Sequence, residues 1–321
     1  MDTLLTEQPR ILITGGTGFA GSHLVELLLE RGYTDVHVTT FSAKEDYVAR
    51  LLDSSHIHSV DLTDHAATHE LFVSLAPTQI YHLAAFADVG ASFEKAALVM
   101  QNNTSLQLNV LEAIKTAVPK ARVLAVGSAL EYGLVTPEET PVVESQAFRP
   151  VNPYAVSKVT QELLAYMYFS SHHLDVVFAR SFNHVGERQT TAFAVPAFAA
   201  QIVEIERGSQ TSIKVGNLDA QRDFTDVKDV ARAYLTLMEH GESGTVYNVG
   251  SGQPVSMESV LSQLVRMANV KVAVETDPAR VRPVDIPVMV ADISKIKLLG
   301  WQPQIPLDKT LQRVLEWYRS N

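Results

Sequence analysis

Cysteine is absent from the 321 residues, which excludes disulfides, thiolate zinc sites and a cysteine nucleophile. Any redox chemistry must therefore be borrowed from a cofactor. No apolar run approaches the roughly 20 residues that span a bilayer. Met1–Gln8 lacks the basic start and apolar stretch of a signal peptide, so the chain reads as cytoplasmic, with no membrane partner. Positive charge is short: Lys and Arg total 26 against 36 Asp and Glu, a net charge of −10. That balance argues against a nucleic-acid partner, and an anionic small substrate would need arginines of its own. Internal repeats and low-complexity stretches are missing too. His65 and His69 stand at helical spacing and His172 adjoins His173. Neither pair has a carboxylate in a recognised metal arrangement, so no metal is expected. The 46% hydrophobic content suffices for one large α/β unit or two domains.

What is present begins with a strand, a glycine turn and a helix. Arg10–Thr14 is a short apolar run with β-branched residues, followed at once by G-G-T-G-F-A-G at 15–21 and an amphipathic segment through Glu30. Gly15, Gly18 and Gly21 let the backbone turn tightly and approach a pyrophosphate, whose charge suits a helix N-terminus. The spacing G-x-x-G-x-x-G is one residue longer at the first gap than in many dehydrogenases. Further strands are expected at 35–40, up to Asp64, at 79–85, 121–127, 174–180, 212–215 and 245–249. Helices are expected at 99–117, from Pro153, and at 195–206, 229–238, 257–268 and 307–318. The second strand ends Thr39-Thr40-Phe41-Ser42-Ala43-Lys44. An acid there would hold the adenosine ribose of NAD and a base would accept the 2′-phosphate of NADP. Neither an acid nor an arginine is at the tip, which leaves Lys44 as the available cation.

Ligands of an open parallel sheet bind beyond the carboxyl ends of its strands. Ser128 is delivered there by the fifth strand. The small residues closing Q-I-Y-H-L-A-A at 79–85 would let a flat cofactor lie close to the backbone. Ala129–Asn152, with Pro137, Pro141 and Pro150 and no sustained period, reads as a substrate-side loop. The helix after it opens Pro153-Tyr154, and Lys158 follows four residues later on the same face. An isolated Y-x-x-x-K is ordinarily a packed tyrosine and a solvated lysine. Here the lysine cation is expected to pull the phenol below its usual pKa of about 10, giving a pair able to exchange a proton with an alcohol or ketone. The segment around Arg222-Asp223-Phe224 reads as a loop, as does the one carrying Arg280, Arg282 and Pro283.

With these pieces set out, the chain resembles the extended short-chain dehydrogenase/reductases that modify nucleotide sugars. The resemblance rests on T-G-G-T-G-F-A-G at 14–21, H-L-A-A at 82–85, G-S-A-L-E-Y-G at 127–133 and P-Y-A-V-S-K at 153–158. It continues in R-S-F-N-H-V-G at 180–186 and R-D-F-T-D-V-K-D-V at 222–230, and so covers nearly the whole chain. It implies an α/β fold: a Rossmann-type doubly wound parallel sheet with a smaller C-terminal α/β substrate-binding region. The implied division is a dinucleotide domain at 1–180 and a substrate domain at 181–321, with roughly 226–250 returning to the first. Ser128, Tyr154 and Lys158 become the catalytic set. Cofactor contacts fall to Gly15, Thr17, Gly18, Phe19, Gly21, Asp61, Leu62, Leu83, Ala84, Ala85 and Asn103, together with Tyr154 and Lys158. Substrate contacts fall to Ser128, Glu131, Asn183, Lys214, Arg222 and Arg282. A proline common after R-x-F-N-x-x-G is replaced by Glu187-Arg188, so that loop is expected to be shaped differently.

The late segments, K-V-G-N-L-D-A-Q-R-D-F at 214–224 and R-P-V-D-I-P at 282–287, are similar to the GDP-mannose branch and above all to its reductases. This implies reduction by NADPH or NADH, the balance slightly toward NADPH, of the C4 ketone of GDP-4-dehydro-6-deoxy-D-mannose to GDP-D-rhamnose. The branch also contains 4,6-dehydratases, which carry a glutamate two residues before the Tyr-Gly pair. Here that residue is Leu130, preceded by Ala129, and an alkyl chain cannot be a general base. Glu131 is one residue off, and in an extended segment it would point to the other side. A 4-epimerase with tightly held NAD and a catalytically silent NADP-sensing protein are the alternatives. A homodimer through a four-helix interface built on the helices of Asn103 and Tyr154 is the family expectation.

Overall fold

Ile11, Leu12, Ile13 and Thr14 are buried at every position of strand β1 (Ile11–Thr14), the condition of a parallel strand covered on both faces. Their side chains alternate. Ile11 and Ile13 enter one apolar cluster while Leu12 enters the other. In the computed structural model, which describes residues 8–41, 47–280 and 286–321, the chain continues through α1 (Phe19–Glu30), β2 (Val36–Thr40) and β3 (Ile57–Ser59). Then come α2 (His65–Leu75), β4 (Gln79–His82), α3 (Val89–Glu94), α4 (Ala96–Ala117), β5 (Arg122–Ser128), α5 (Pro153–His172) and β6 (Asp175–Ser181). The second half runs β7 (Asn183–Val185), α6 (Ala194–Glu206), β8 (Ser212–Val215), β9 (Gln221–Asp226), α7 (Val227–His240), β10 (Val246–Val249) and β11 (Pro254–Ser256). It ends α8 (Met257–Arg266), β12 (Ala273–Thr276), β13 (Val288–Met289), α9 (Ser294–Lys297) and α10 (Leu307–Ser320).

Seven strands form one parallel sheet in the order β10-β6-β5-β4-β1-β2-β3. The cluster with Ile11 and Ile13 joins α1 to Val230, Tyr234 and Leu237 of α7. The cluster with Leu12 joins Phe72 of α2, Val110 and Ile114 of α4 and Tyr168 of α5. This is the Rossmann-type doubly wound sheet. Strand order reverses between β1 and β4, and a crevice opens there beyond their carboxyl ends. A third cluster unites Phe198 and Ile202 of α6, Ile213 of β8, Leu264 of α8 and Leu311 and Val314 of α10. It carries the smaller sheets, β11-β9-β13 with β7 paired to β9, and β12 with β8.

The segment at 222–224 is not a loop but the middle of β9. Its charged residues hide the strand pattern because its aspartates are buried acceptors and not solvated ends. Asp223 accepts from the Ser251 amide (2.6 Å) and hydroxyl (2.5 Å), the Gly252 amide (2.8 Å) and the Ala291 amide (3.1 Å). Asp226 caps α7 through the Lys228 amide (2.8 Å) and accepts from the Thr310 hydroxyl (2.5 Å) and from Arg313. Asp229, with no exposed surface, accepts the amides of Gln304 (2.7 Å) and Ile305 (2.8 Å) and pairs with Arg232. Each carboxylate thus ties β9 or the start of α7 to segments later in the chain.

Replacing Asp229 by Ala should strand those two amides and remove the carboxylate partner of Arg232, which keeps only the Gln302 carbonyl. A loss of about 3–5 kcal/mol in denaturant unfolding is expected, with faster amide exchange through 301–320. A loss below about 1 kcal/mol would refute the clamp.

Candidate active site

The glycine turn after β1 is shaped by contacts no side chain could share. Gly15 has φ +69°, and a Cβ on it would lie 3.0 Å from the Ala84 Cα across the sheet reversal. A Cβ on Gly21 would meet the Gly15 carbonyl at 2.5 Å, so α1 packs directly on the turn. Gly18 caps α1 without any side-chain bond, and the first helical turn holds no acid. Its amides therefore remain open to an anion. Across the crevice, Thr14 Oγ1 sits 2.7 Å from His82 Nδ1 and accepts from the Ala84 amide at 3.3 Å. Burial and the nearby Lys158 cation push His82 down to about 3, so it is neutral beside the Thr14 hydroxyl.

A cavity of about 990 Å³ runs along the carboxyl ends of the strands into the second lobe. Gly15, Thr17, Gly18, Phe19, Gly21, Asp61, Leu62, Leu83, Ala84 and Ala85 line one arm; Ser128, Tyr154, Lys158, Asn183, Lys214 and Arg222 line the rest. These glycines, the open helix end and the small residues at 84–85 fit a dinucleotide. The end of β2 contributes Thr39, Thr40 and Phe41, with Thr17 donating to Thr40 Oγ1 at 3.1 Å. Lys44 and Arg282 lie outside the described residues.

Helix α5 opens where Asn152 Oδ1 accepts the Ala155 amide at 2.8 Å and Pro153 takes the first helical position. Tyr154 and Lys158 then face the end of β5. Lys158 Nζ donates to the Val126 carbonyl (2.6 Å) and to Gln161 Oε1 (2.9 Å). Burial brings it down to about 8, against the opposing pull of Glu131 and Glu162. Tyr154 does not behave as its spacing from Lys158 suggests. Burial pushes the phenol above its ordinary range; only the Ser128 hydrogen bond lowers it. Desolvation dominates, and Tyr154 is held as the neutral phenol.

Two expected ligands are not on the cavity wall. Asn103 has no exposed surface. Its Oδ1 accepts the Phe86 amide (2.7 Å), and its Nδ2 donates to the Phe86 carbonyl (3.2 Å) and Ser157 Oγ (2.9 Å). It is spent holding the strand β4 exit to α5. Glu131 lies on a 3₁₀ turn, not an extended segment, and its carboxyl folds back to accept the Ser128 amide at 2.6 Å. It is buried beneath Ser128 and cannot touch a sugar.

Other wall residues were not anticipated. Ser181 is in register with Ser128 at the end of β6 and bonds the Tyr234 hydroxyl at 2.7 Å; the strand-end rule that selects Ser128 selects it equally. Arg280 lines the cavity beside Asp277, 3.4 Å away, and only its neighbourhood to Arg282 hinted at it. His184 stacks on Phe19 at 5.7 Å. No helix among the described residues is long and apolar enough to cross a membrane.

Comparison with known proteins agrees with this geometry. The family profile of GDP-mannose 4,6 dehydratase matches residues 12–314. The GDP-6-deoxy-D-mannose reductase of Pseudomonas aeruginosa is 33% identical over 313 residues, covering 97% of each chain. The structure of RMD from Pseudomonas aeruginosa complexed with NADPH superposes with a TM-score of 0.83 at 30% identity, over 97% of this chain and 99% of that one. A Thermus thermophilus UDP-glucose 4-epimerase in complex with NAD reaches 0.86 at 29% identity, over 97% and 99%.

The buried neutral His82 makes stability depend on pH. The unfolded chain binds a proton on His82 near 6.5 and the folded chain only near 3, so this contribution is lost as pH falls through that window. The slope approaches about 1.4 kcal/mol per pH unit. His82→Gln should flatten the stability–pH curve between pH 6.5 and 5 in chemical denaturation. An unchanged slope would show that His82 is not held neutral.

Proposed function

The chain belongs to the GDP-mannose 4,6 dehydratase family of nucleotide-sugar enzymes, and on that premise we propose that it is a reductase of a GDP-linked 4-keto-6-deoxy sugar. The reaction is reduction of the C4 ketone of GDP-4-dehydro-6-deoxy-D-mannose to GDP-6-deoxy-D-mannose (GDP-D-rhamnose). One observation carries the choice within the family. Among the described cavity-lining residues the carboxylates are Asp61 and Asp88, and each caps its own turn: Asp61 accepts from the Thr63 amide and hydroxyl, Asp88 from the Ala91 amide. Elimination needs a base at C5 and an acid at the C6 hydroxyl. Ala129 and Leu130 supply neither, and Glu131 is buried away. Reduction needs only a donor for the forming alkoxide.

Tyr154, neutral through burial, gives its phenol proton to the C4 oxygen. Ser128 donates a second hydrogen bond to the same atom, so that preorganised donors meet the developing negative charge. Lys158 holds a positive charge beneath them. The reduced nicotinamide cofactor supplies the hydride when bound. It would be held by the glycine turn, the α1 N-terminus, Asp61–Leu62 and Leu83–Ala85. The lack of an acid at Thr39–Phe41 favours NADPH over NADH. Asn183, Lys214 and Arg222, with Arg280 and Arg282, are the groups for the nucleotide diphosphate; guanidinium forks suit it. In this reading residues 1–180 serve the cofactor and 181–321 the substrate, with roughly 226–250 packing back on the first. The same reading includes a homodimer through α4 and α5, on which Leu98, Leu163 and Tyr166 are exposed.

The purified protein should consume NADPH faster than NADH with GDP-4-dehydro-6-deoxy-D-mannose, and Tyr154→Phe should lower kcat by about 10²–10⁴-fold. Protein that arrives with NAD bound, consumes neither cofactor and slowly interconverts unmodified nucleotide hexoses would overturn the reductase in favour of an epimerase.

A further inference from the structure

Below Ser128 lies a carboxyl group that the reaction above does not use. Glu131 has no exposed surface. Its Oε1 accepts the Ser128 amide at 2.6 Å and occupies the space over Gly127, where a Cβ would lie 2.5 Å from it. The other oxygen, Oε2, is equally sealed from water and has no hydrogen-bond partner as an acceptor. Arg180 is 3.7 Å away, but its donors point elsewhere. Nε and Nη2 bond Glu162 at 2.9 and 2.5 Å, and Nη1 bonds the Tyr132 hydroxyl (2.9 Å) and the Glu144 carbonyl (2.8 Å). The guanidinium is held there by the Tyr132 and Phe148 rings, 4.9 and 4.5 Å from it. Glu131 Oε2 and Glu162 Oε2 are both neighbours of the same guanidinium Nε, at 3.7 and 2.9 Å. A carboxyl oxygen sealed from water beside a second carboxylate, with the nearest donors bonded elsewhere, is satisfied by carrying a proton of its own.

We propose that Glu131 is a positioning residue. As a carboxylic acid it fixes the Ser128 turn through Oε1 and bridges through its Oε2 proton to the Glu162 carboxylate clamped by Arg180. Burial, with Glu162 alongside, pushes Glu131 well above the carboxylate range, in agreement with the geometry. The groups facing it are Glu162, Lys158 and Tyr154 from α5, Arg180 from β6, and Tyr132 from its own turn. With the proton in place Glu162 and Arg180 neutralise each other and Glu131 carries no charge. Lys158 is then the one uncompensated cation next to Tyr154. An ionised Glu131 would cancel it across a buried, low-dielectric gap. The inference rests on the reading of Ser128, Tyr154 and Lys158 as the reacting centre.

Infrared spectroscopy of the intact protein at neutral pH tests the pair without any turnover. The C=O stretch of a protonated carboxylic acid should be present in the wild type and lost in Glu131→Gln. In kinetics, Glu131→Ala should lower kcat by about 10²-fold through the misplaced Ser128, with the KM for cofactor little changed. Glu131→Gln keeps an acceptor for Ser128 and a donor for Glu162, and should rescue both kcat and the wild-type pH profile. A missing acid band overturns the proposal. So does a Gln variant as impaired as Ala, or one whose alkaline limb moves. If Glu131→Ala does not fold, the Gln variant and the band still decide. If the wild type turns over no keto sugar, the reading of the reaction fails while the band still reports on the acid pair.

Discussion

A lysine ammonium taken out of water without a carboxylate of its own is the interaction on which the rest of the site depends. Lys158 is 5% exposed, and burying a cation is costly unless its protons find acceptors. Here the acceptors are a backbone carbonyl of β5 and an amide of its own helix. The bond to Val126 draws α5 against the sheet edge where Ser128 emerges. Asn103 supports the same contact from the other flank, tying Ser157 to the chain that leaves β4. The proposed reacting centre is therefore a by-product of how three parallel strands end and how one helix is pinned to them.

The second constraint is an absence of free carboxylate where the sugar would lie. The relatives this chain resembles include a reductase, an epimerase and dehydratases, and on a common fold the site decides the reaction. In this chain the turn after Ser128 offers a methyl and an isobutyl group to the cavity and folds its one acid inward. The cavity can donate a proton at C4 and has little means of removing one at C5. Burial keeps Tyr154 in its acid form, which suits reduction more directly than a reaction that begins by oxidising an alcohol.

Much of this was legible from the residues. Strand, glycine turn and helix at 11–30, and the four-residue separation of Tyr154 and Lys158, are local patterns that survive folding because local geometry generates them. Ser128 followed from a rule about strand ends, and the same rule applied once more would have found Ser181. What could not be read depends on direction and depth. Glu131 and Asn103 are polar residues near a site, and polarity alone does not say whether a side chain faces ligand or protein. Asp223 and Asp226 disguised a buried strand as a loop, since their tertiary partners lie 28 to 87 residues away. The sign of the Tyr154 shift was misjudged because spacing reveals the neighbouring cation but not the desolvation that opposes it.

The most direct measurement is the fate of label in one turnover: NADPH carrying deuterium on the transferred position, with GDP-4-dehydro-6-deoxy-D-mannose, followed by NMR of the sugar. The account predicts one deuterium at C4 of GDP-6-deoxy-D-mannose for each NADPH oxidised, none at C5, and no label with Tyr154→Phe. Label that stays on the cofactor while the sugar is inverted, or exchange of solvent hydrogen at C5, would contradict it.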